Sequence, residues 1–192
     1  GKIITVTSAK GGVGKTIFLL NLAGIFSRMK QKVLIVDCDL VGGAVALDLN
    51  LNPIKNIFHI SDDIFNNRYQ NYTDYLTLYQ DNIDIVASCK DPKQALKIDM
   101  NYIMMFLKQV KNEYDIILVD TTHGFTKENI NILDKSDIIL YMMTNDIMDI
   151  KNTKSYMEVM NDIEMDHIKI ILNNSRDINL NYFSKYDIRS II

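Results

Sequence analysis

Two lysines, three glycines and a threonine fall within seven consecutive positions, Lys10-Gly11-Gly12-Val13-Gly14-Lys15-Thr16. Together they could hold a polyphosphate. The Lys15 ammonium is a point charge suited to β- and γ-phosphate oxygens, and the Thr16 hydroxyl is a hard oxygen donor for Mg²⁺. Gly11, Gly12, Val13 and Gly14 would supply bare backbone N–H groups, which glycine allows to approach closely. The flanks agree. Ile3 to Thr7 is a β-branched run, while Phe18, Leu19, Leu22, Ile25 and Phe26 recur at helical spacing. The loop therefore lies between a strand and a helix whose positive end faces the anion. This is a P-loop, with Ala9 where the commoner motif has its first glycine.

Other polar residues close apolar runs. Asp37-Cys38-Asp39 follows Val33 to Val36, Asp120 follows Ile116 to Val119, and Asn173 follows Ile170 to Leu172. A carboxylate at a strand end can hold a Mg²⁺-bound water, and an amide offers the donor and acceptor that suit an adenine edge. Asp and Asn at such places are also ordinary turn formers and helix caps. Their grouping around a P-loop is what favours chemistry.

Elements must bring these positions together. Strands are predicted over 32–37, 83–87, 116–120, 138–143 and 168–172, of which 32–37 and 116–120 are continuous apolar runs of the kind covered on both faces. Helices are predicted over 17–29, 53–66, 94–111, 129–134, 150–160 and from 183 onward. Residues 40–51 and the Tyr-rich stretch 66–80 have no clear period. Alternating strands and helices predict an α/β fold, three-layer and doubly wound, with a mainly parallel sheet and helices on both faces. Ligands of such sheets collect at the C-terminal edge, where every motif above falls.

Bulk properties exclude several classes. The 192 residues suit one domain, with 47% hydrophobic and 23% charged residues. A net charge of −3 gives no general drive toward nucleic acid, and none is expected as a direct partner. Cys38 and Cys89 form no metal or redox pattern and read as reduced, buried thiols. No run approaches the ~20 apolar residues of a membrane span. His59 and His167 read as surface or packing residues, His123 as an exposed loop residue, and the methionines as core filler.

Lys10 carries a resemblance. Lys10-Gly11-Gly12-Val13-Gly14-Lys15-Thr16 resembles the deviant Walker A motif of the MinD/ParA family. The resemblance implies a P-loop NTPase fold and a slow ATPase using ATP and Mg²⁺. It implies a homodimer in the ATP-bound state, in which Lys10 reaches the partner's nucleotide. Carried over by position, Asp39 orients the attacking water, and Thr16, Asp37 and Asp120 serve the Mg²⁺ site. Gly124 would sense the γ-phosphate through its N–H, Asn173 would read adenine, and Lys10, Lys15 and Asp39 would be catalytic.

Two positions depart from the pattern. Ile17 stands where a second hydroxyl usually meets the α-phosphate, a loss of about 1 kcal/mol for one neutral hydrogen bond. Thr121-Thr122-His123-Gly124 replaces Thr-Pro-x-Gly. Both leave room for a nucleotide-binding scaffold that barely hydrolyses.

The stretch from Asp37 to Leu51 is similar to the CpaE/TadZ branch, implying a role in Flp/Tad type IVb pilus or secretion assembly. That branch implies a longer protein, with an upstream receiver-like domain and a tail beyond residue 192. It also implies a cytoplasmic protein recruited to membrane or pole by pilus machinery. The alternative is a partition or division-site ATPase of ParA or MinD type. A partition ATPase would need a basic DNA-binding face, and a MinD-type regulator an amphipathic C-terminal helix. Nitrogenase iron-protein and tyrosine-kinase branches lack their cysteine pair and terminal tyrosine cluster here.

Overall fold

The computed structural model describes residues 1–173. The predicted helix from 183 onward lies outside them, as does Asn174. Among the described residues a seven-stranded sheet runs in the order β3-β4-β2-β5-β1-β6-β7. Its strands are β1 (Lys2–Thr7), β2 (Val33–Cys38), β3 (Thr77–Gln80), β4 (Ile83–Val86), β5 (Ile116–Thr121), β6 (Ile138–Thr144) and β7 (Ile168–Asn173). All neighbours are parallel except β3 and β4.

Alternating side chains of the central strands fill opposite cores, which is why these runs are apolar without a period. Ile4, Val33, Ile35, Ile116 and Leu118 pack on one face with Leu19 and Ala23 of α1 (Lys15–Arg28). Ile3, Leu34, Val36, Ile117 and Val119 pack on the other. There they meet Ile57 and Ile60 of a helix over Ile57–Phe65 and Ile103, Phe106 and Val110 of one over Met100–Val110. A third cluster joins Ile139, Tyr141 and Met143 of β6 to Ile150, Tyr156 and Met160 of a helix over Ile147–Asp162. In chain order the helices are α1, α2 (Val45–Asp48), α3 (Ile57–Phe65), α4 (Pro92–Ala95), α5 (Met100–Val110), α6 (Lys127–Asp134) and α7 (Ile147–Asp162).

One predicted helix is corrected, and two stretches without a clear period take definite structure. The single helix over 94–111 is two, because Asp99 adopts extended backbone and its carboxylate accepts the Asn101 N–H at 2.9 Å, starting α5 afresh. The Tyr-rich stretch is ordered. Its Tyr75 is buried, stacks on Tyr69 and donates to Asp63 at 2.9 Å, and the chain then adds edge strand β3 antiparallel to β4. The aperiodic 40–51 stretch contains the short α2. His59 has a defined task, since its Nδ1 accepts the Asn56 N–H at 3.0 Å in the capping box of α3. Cys38 and Cys89 are free and buried. The methionines include core residues (Met100, Met142, Met143, Met160 and Met165) and surface ones (Met29, Met105 and Met148).

Candidate functional site

The P-loop leaves the C-terminal end of β1, which lies between β5 and β6. Its curl depends on Gly12 and Gly14, with φ of 74° and 93°, a region where a side chain would be strained. Gly14 is the N-cap of α1, so Lys15 and Thr16 open that helix at its positive end. Val13 turns inward, 2% exposed, and anchors the loop in the core. Its carbonyl accepts the Asn173 Nδ2–H at 2.9 Å, which ties the end of β7 to the cradle.

Two clefts flank this loop. One, of about 620 Å³, is lined by Gly12, Gly14, Ile17, Phe18, Asn21 and Asn173 among others. The other, of about 490 Å³, is lined by Gly11, Lys15, Thr16, Asp39, Asp48 and His123 among others. They share Gly12, Gly14 and Ile17. Ile17 is 65% exposed, so an apolar wall stands where a second hydroxyl was expected.

Register brings the acidic residues together. Asp37 of β2 and Asp120 of β5 are direct partners across neighbouring strands, both essentially buried. Asp37 accepts N–H bonds from Asp39 at 3.1 Å and Val45 at 3.2 Å. Burial first, and then the Asp120 charge, push its carboxyl up to about 8. Burial also raises Asp120 to about 6, although the Thr16 hydrogen bond and the Lys15 charge pull it down. Thr16 Oγ1 donates to Asp120 Oδ2 at 2.7 Å, while Asp120 Oδ1 has no partner among the described residues. An orphaned buried carboxylate oxygen beside a hydroxyl and a second raised carboxylate fits a hard divalent cation with oxygen ligands.

The loop after β5 is held at several points. Thr121 Oγ1 donates to the Val6 carbonyl at 2.9 Å. Gly124 N–H donates to the Ser8 carbonyl at 2.8 Å, so in this structure it is engaged within the protein instead of facing a phosphate. The expectation that this N–H senses a γ-phosphate therefore requires a change of partner. Asn129 Nδ2 donates to the Thr122 carbonyl, and to that of Gly124 at 2.9 Å. His123 is carried over the cradle; a Cβ placed on Gly11 would lie 3.3 Å from its Nδ1. Lys10 Nζ sits 4.0 Å from Asp146 Oδ1, with both side chains 41% exposed.

Sequence reasoning missed Thr122, Asn129 and Asp146 as parts of this site. A hydroxyl in place of the usual proline marked Thr122; nothing local marked the other two.

The AAA domain family matches residues 1–174. The chain belongs to that AAA-domain family. An uncharacterized ATP-binding protein of Methanocaldococcus jannaschii is 33% identical over 62% of this chain and 43% of its own length. A septum site-determining protein MinD of Pyrococcus horikoshii OT3, complexed with Mg-ADP, superposes with a TM-score of 0.82 at 22% identity, covering 100% of this chain and 77% of that one. A ParA family ATPase of Chlorobium tepidum TLS gives 0.88 at 20% identity, covering 99% and 80%. This AAA domain thus has the P-loop fold of MinD and ParA proteins. The chain spans 43–64% of the length of the first curated relatives it matches.

Proposed function

We propose that this chain is an ATPase of MinD/ParA type, in which bound ATP and Mg²⁺ drive dimerisation, and that it positions a division or partition apparatus. The observation that carries the reading is the meeting of Lys15, Thr16 and Asp39 on one P-loop cleft, with the buried Asp120 hydrogen-bonded behind Thr16 and its Oδ1 left unpartnered among the described residues. The likeness to MinD and ParA structures supports the positioning role.

In this reading Lys15 holds the β- and γ-phosphates, and Thr16 with Asp120 and Asp37 holds Mg²⁺. The metal ion, when bound, neutralises charge on the transferring phosphoryl group. Asp39 orients the water, which is nearly all the protein has to do in a reaction governed by positioning. Asn173 and Ile17 border the cleft left for the base.

Turnover of wild type beside Asp39→Ala tests hydrolysis. The variant is expected to lose about a hundredfold or more in kcat while retaining ATP, the usual range for removing a positioned carboxylate. Equal rates would leave only a nucleotide-binding scaffold. Lys10 tests the dimer. Its Nζ is exposed and, among the described residues, is held by a loose ion pair with Asp146 worth ~1 kcal/mol at most, so release toward a second subunit is cheap. Light scattering is expected to show an ATP-dependent mass shift in wild type and none in Lys10→Ala.

A second reading keeps the same site and changes the client to a Flp/Tad pilus or secretion machine, with the upstream domain and tail implied by that branch. Its support is the Asp37 to Leu51 stretch. Neighbouring genes for a secretion ATPase and a prepilin peptidase would favour it; a partition or division operon would favour the first.

A further inference from the structure

Asp39 is held by three donors on one oxygen. Its Oδ1 accepts the N–H groups of Val41 at 3.2 Å and Gly42 at 2.9 Å. It also accepts the Thr122 hydroxyl at 3.1 Å. The first two bonds lie inside the turn that Asp39 itself begins, and any aspartate at such a place can make them. The third comes from the loop after β5, 83 residues away in sequence. Among the described residues it is the side-chain bond that fixes Asp39 relative to the rest of the site.

Thr122 is suited to that task because its own backbone is immobilised. Thr121 before it is tied to β1 through the Val6 carbonyl, and Gly124 after it is tied to the Ser8 carbonyl. Asn129, 2% exposed, donates to the carbonyls of both Thr122 and Gly124. The Asp39 carbonyl is secured independently, by the Ser88 hydroxyl at 2.8 Å and the Gly43 N–H at 2.9 Å. With Oδ1 turned toward these donors, Oδ2, lying beside Gly42, is among the described residues the oxygen left for a water. A proline at 122 could make no such bond, so the departure from the expected loop pattern has a physical consequence.

We propose that Thr122 is a positioning residue for the reaction, acting through Asp39 by fixing the rotation of its carboxylate. This rests on the ATPase reading above. It also links the Asp39 loop to the loop beside the P-loop, so that the carboxylate is aligned only while both are in place. A bland role, in which the hydroxyl merely satisfies a half-buried oxygen, predicts no selective effect on turnover.

The test is steady-state ATP turnover by the full chain carrying Thr122→Val, Thr122→Ser, Asp39→Ala, or Thr122→Val with Asp39→Ala. Valine keeps the shape and removes the donor. It is expected to lower kcat about fivefold, the effect of one lost hydrogen bond, with KM for ATP changed less than about twofold. Serine, which retains the hydroxyl, is expected to recover most of the rate. The double variant is expected to be no slower than Asp39→Ala alone, because the hydroxyl acts only through that carboxylate. An unchanged kcat in Thr122→Val, failure of serine to recover the rate, or a loss in the double variant that multiplies the two single losses would overturn the proposal. If Asp39→Ala instead matches wild type, the ATPase reading itself falls, and the two failures are told apart by that single variant.

Discussion

Replacing Lys15 with alanine is expected to weaken nucleotide binding by more than a hundredfold and to abolish turnover. Lys15 is the first residue of α1 and only 9% exposed, so its charge acts in a poorly screened place. Hydrogen bonds to charged groups contribute about 1.5–3 kcal/mol each, and two lost phosphate contacts exceed the ~2.8 kcal/mol that corresponds to a hundredfold. Titration with a fluorescent ATP analogue measures this directly. Lys15→Arg should recover little, since a planar fork cannot take the place of a compact ammonium inside a glycine cradle. The same substitution has a second signature without nucleotide. Lys15 lowers the proton affinity of Asp120, so its loss leaves that buried carboxylate less compensated. The alanine variant should therefore melt below wild type at pH 8. An affinity loss of less than tenfold would mean that Lys15 does not contact the phosphates.

Much of this arrangement is legible in the residues. A continuous apolar run such as Val33 to Val36 is of the kind expected for a strand covered on both faces, and both of its faces are indeed packed. Parallel strands joined by helices must then carry Asp37, Asp120 and the P-loop to one edge of the sheet. What was illegible depends on distances that no local pattern encodes. Asp99 looks like a polar residue on one long helix; that it caps a new helix follows from its carboxylate accepting the Asn101 N–H. The tyrosines from Tyr69 to Tyr79 have no period because Tyr69 and Tyr75 stack on each other and do not follow a strand face. Thr122 reads as a lost proline in sequence, and only the approach of β2 to β5 turns it into a donor for Asp39. Asn129 reads as the start of a helix, whereas its amide braces the loop before it.

The other large effect should be stabilising. Asp120→Asn is expected to raise the melting temperature of the metal-free and nucleotide-free protein at pH 8. The sign follows from proton binding. Burial lifts Asp120 from 3.8 to about 6 and Asp37 from 3.8 to about 8, so the folded state holds more protons than the unfolded chain between these limits. The stability they contribute is complete below about pH 4 and is lost as pH rises through about 6 and then about 8. Wild type should consequently melt progressively lower from pH 5 to pH 8.

For Asp120 alone the rise corresponds to roughly 3 kcal/mol at about 1.4 kcal/mol per pH unit. An amide removes that charge and still accepts from Thr16 through its oxygen. Its nitrogen faces the place of the unpartnered Oδ1, which subtracts about 1–2 kcal/mol. A net gain of about 1–2 kcal/mol remains, or roughly 2–8 °C for a domain of this size. The gap should close by pH 4–5, where the wild-type carboxyl is itself neutral. Added Mg²⁺ and ATP should raise the wild-type melting temperature and leave the variant almost unmoved, because the orphaned oxygen that destabilises the empty protein is the one offered to the cation. An Asp120→Asn protein that melts at or below wild type at pH 8 would show that the carboxylate is already compensated, and the case for a cation site would lose its physical basis.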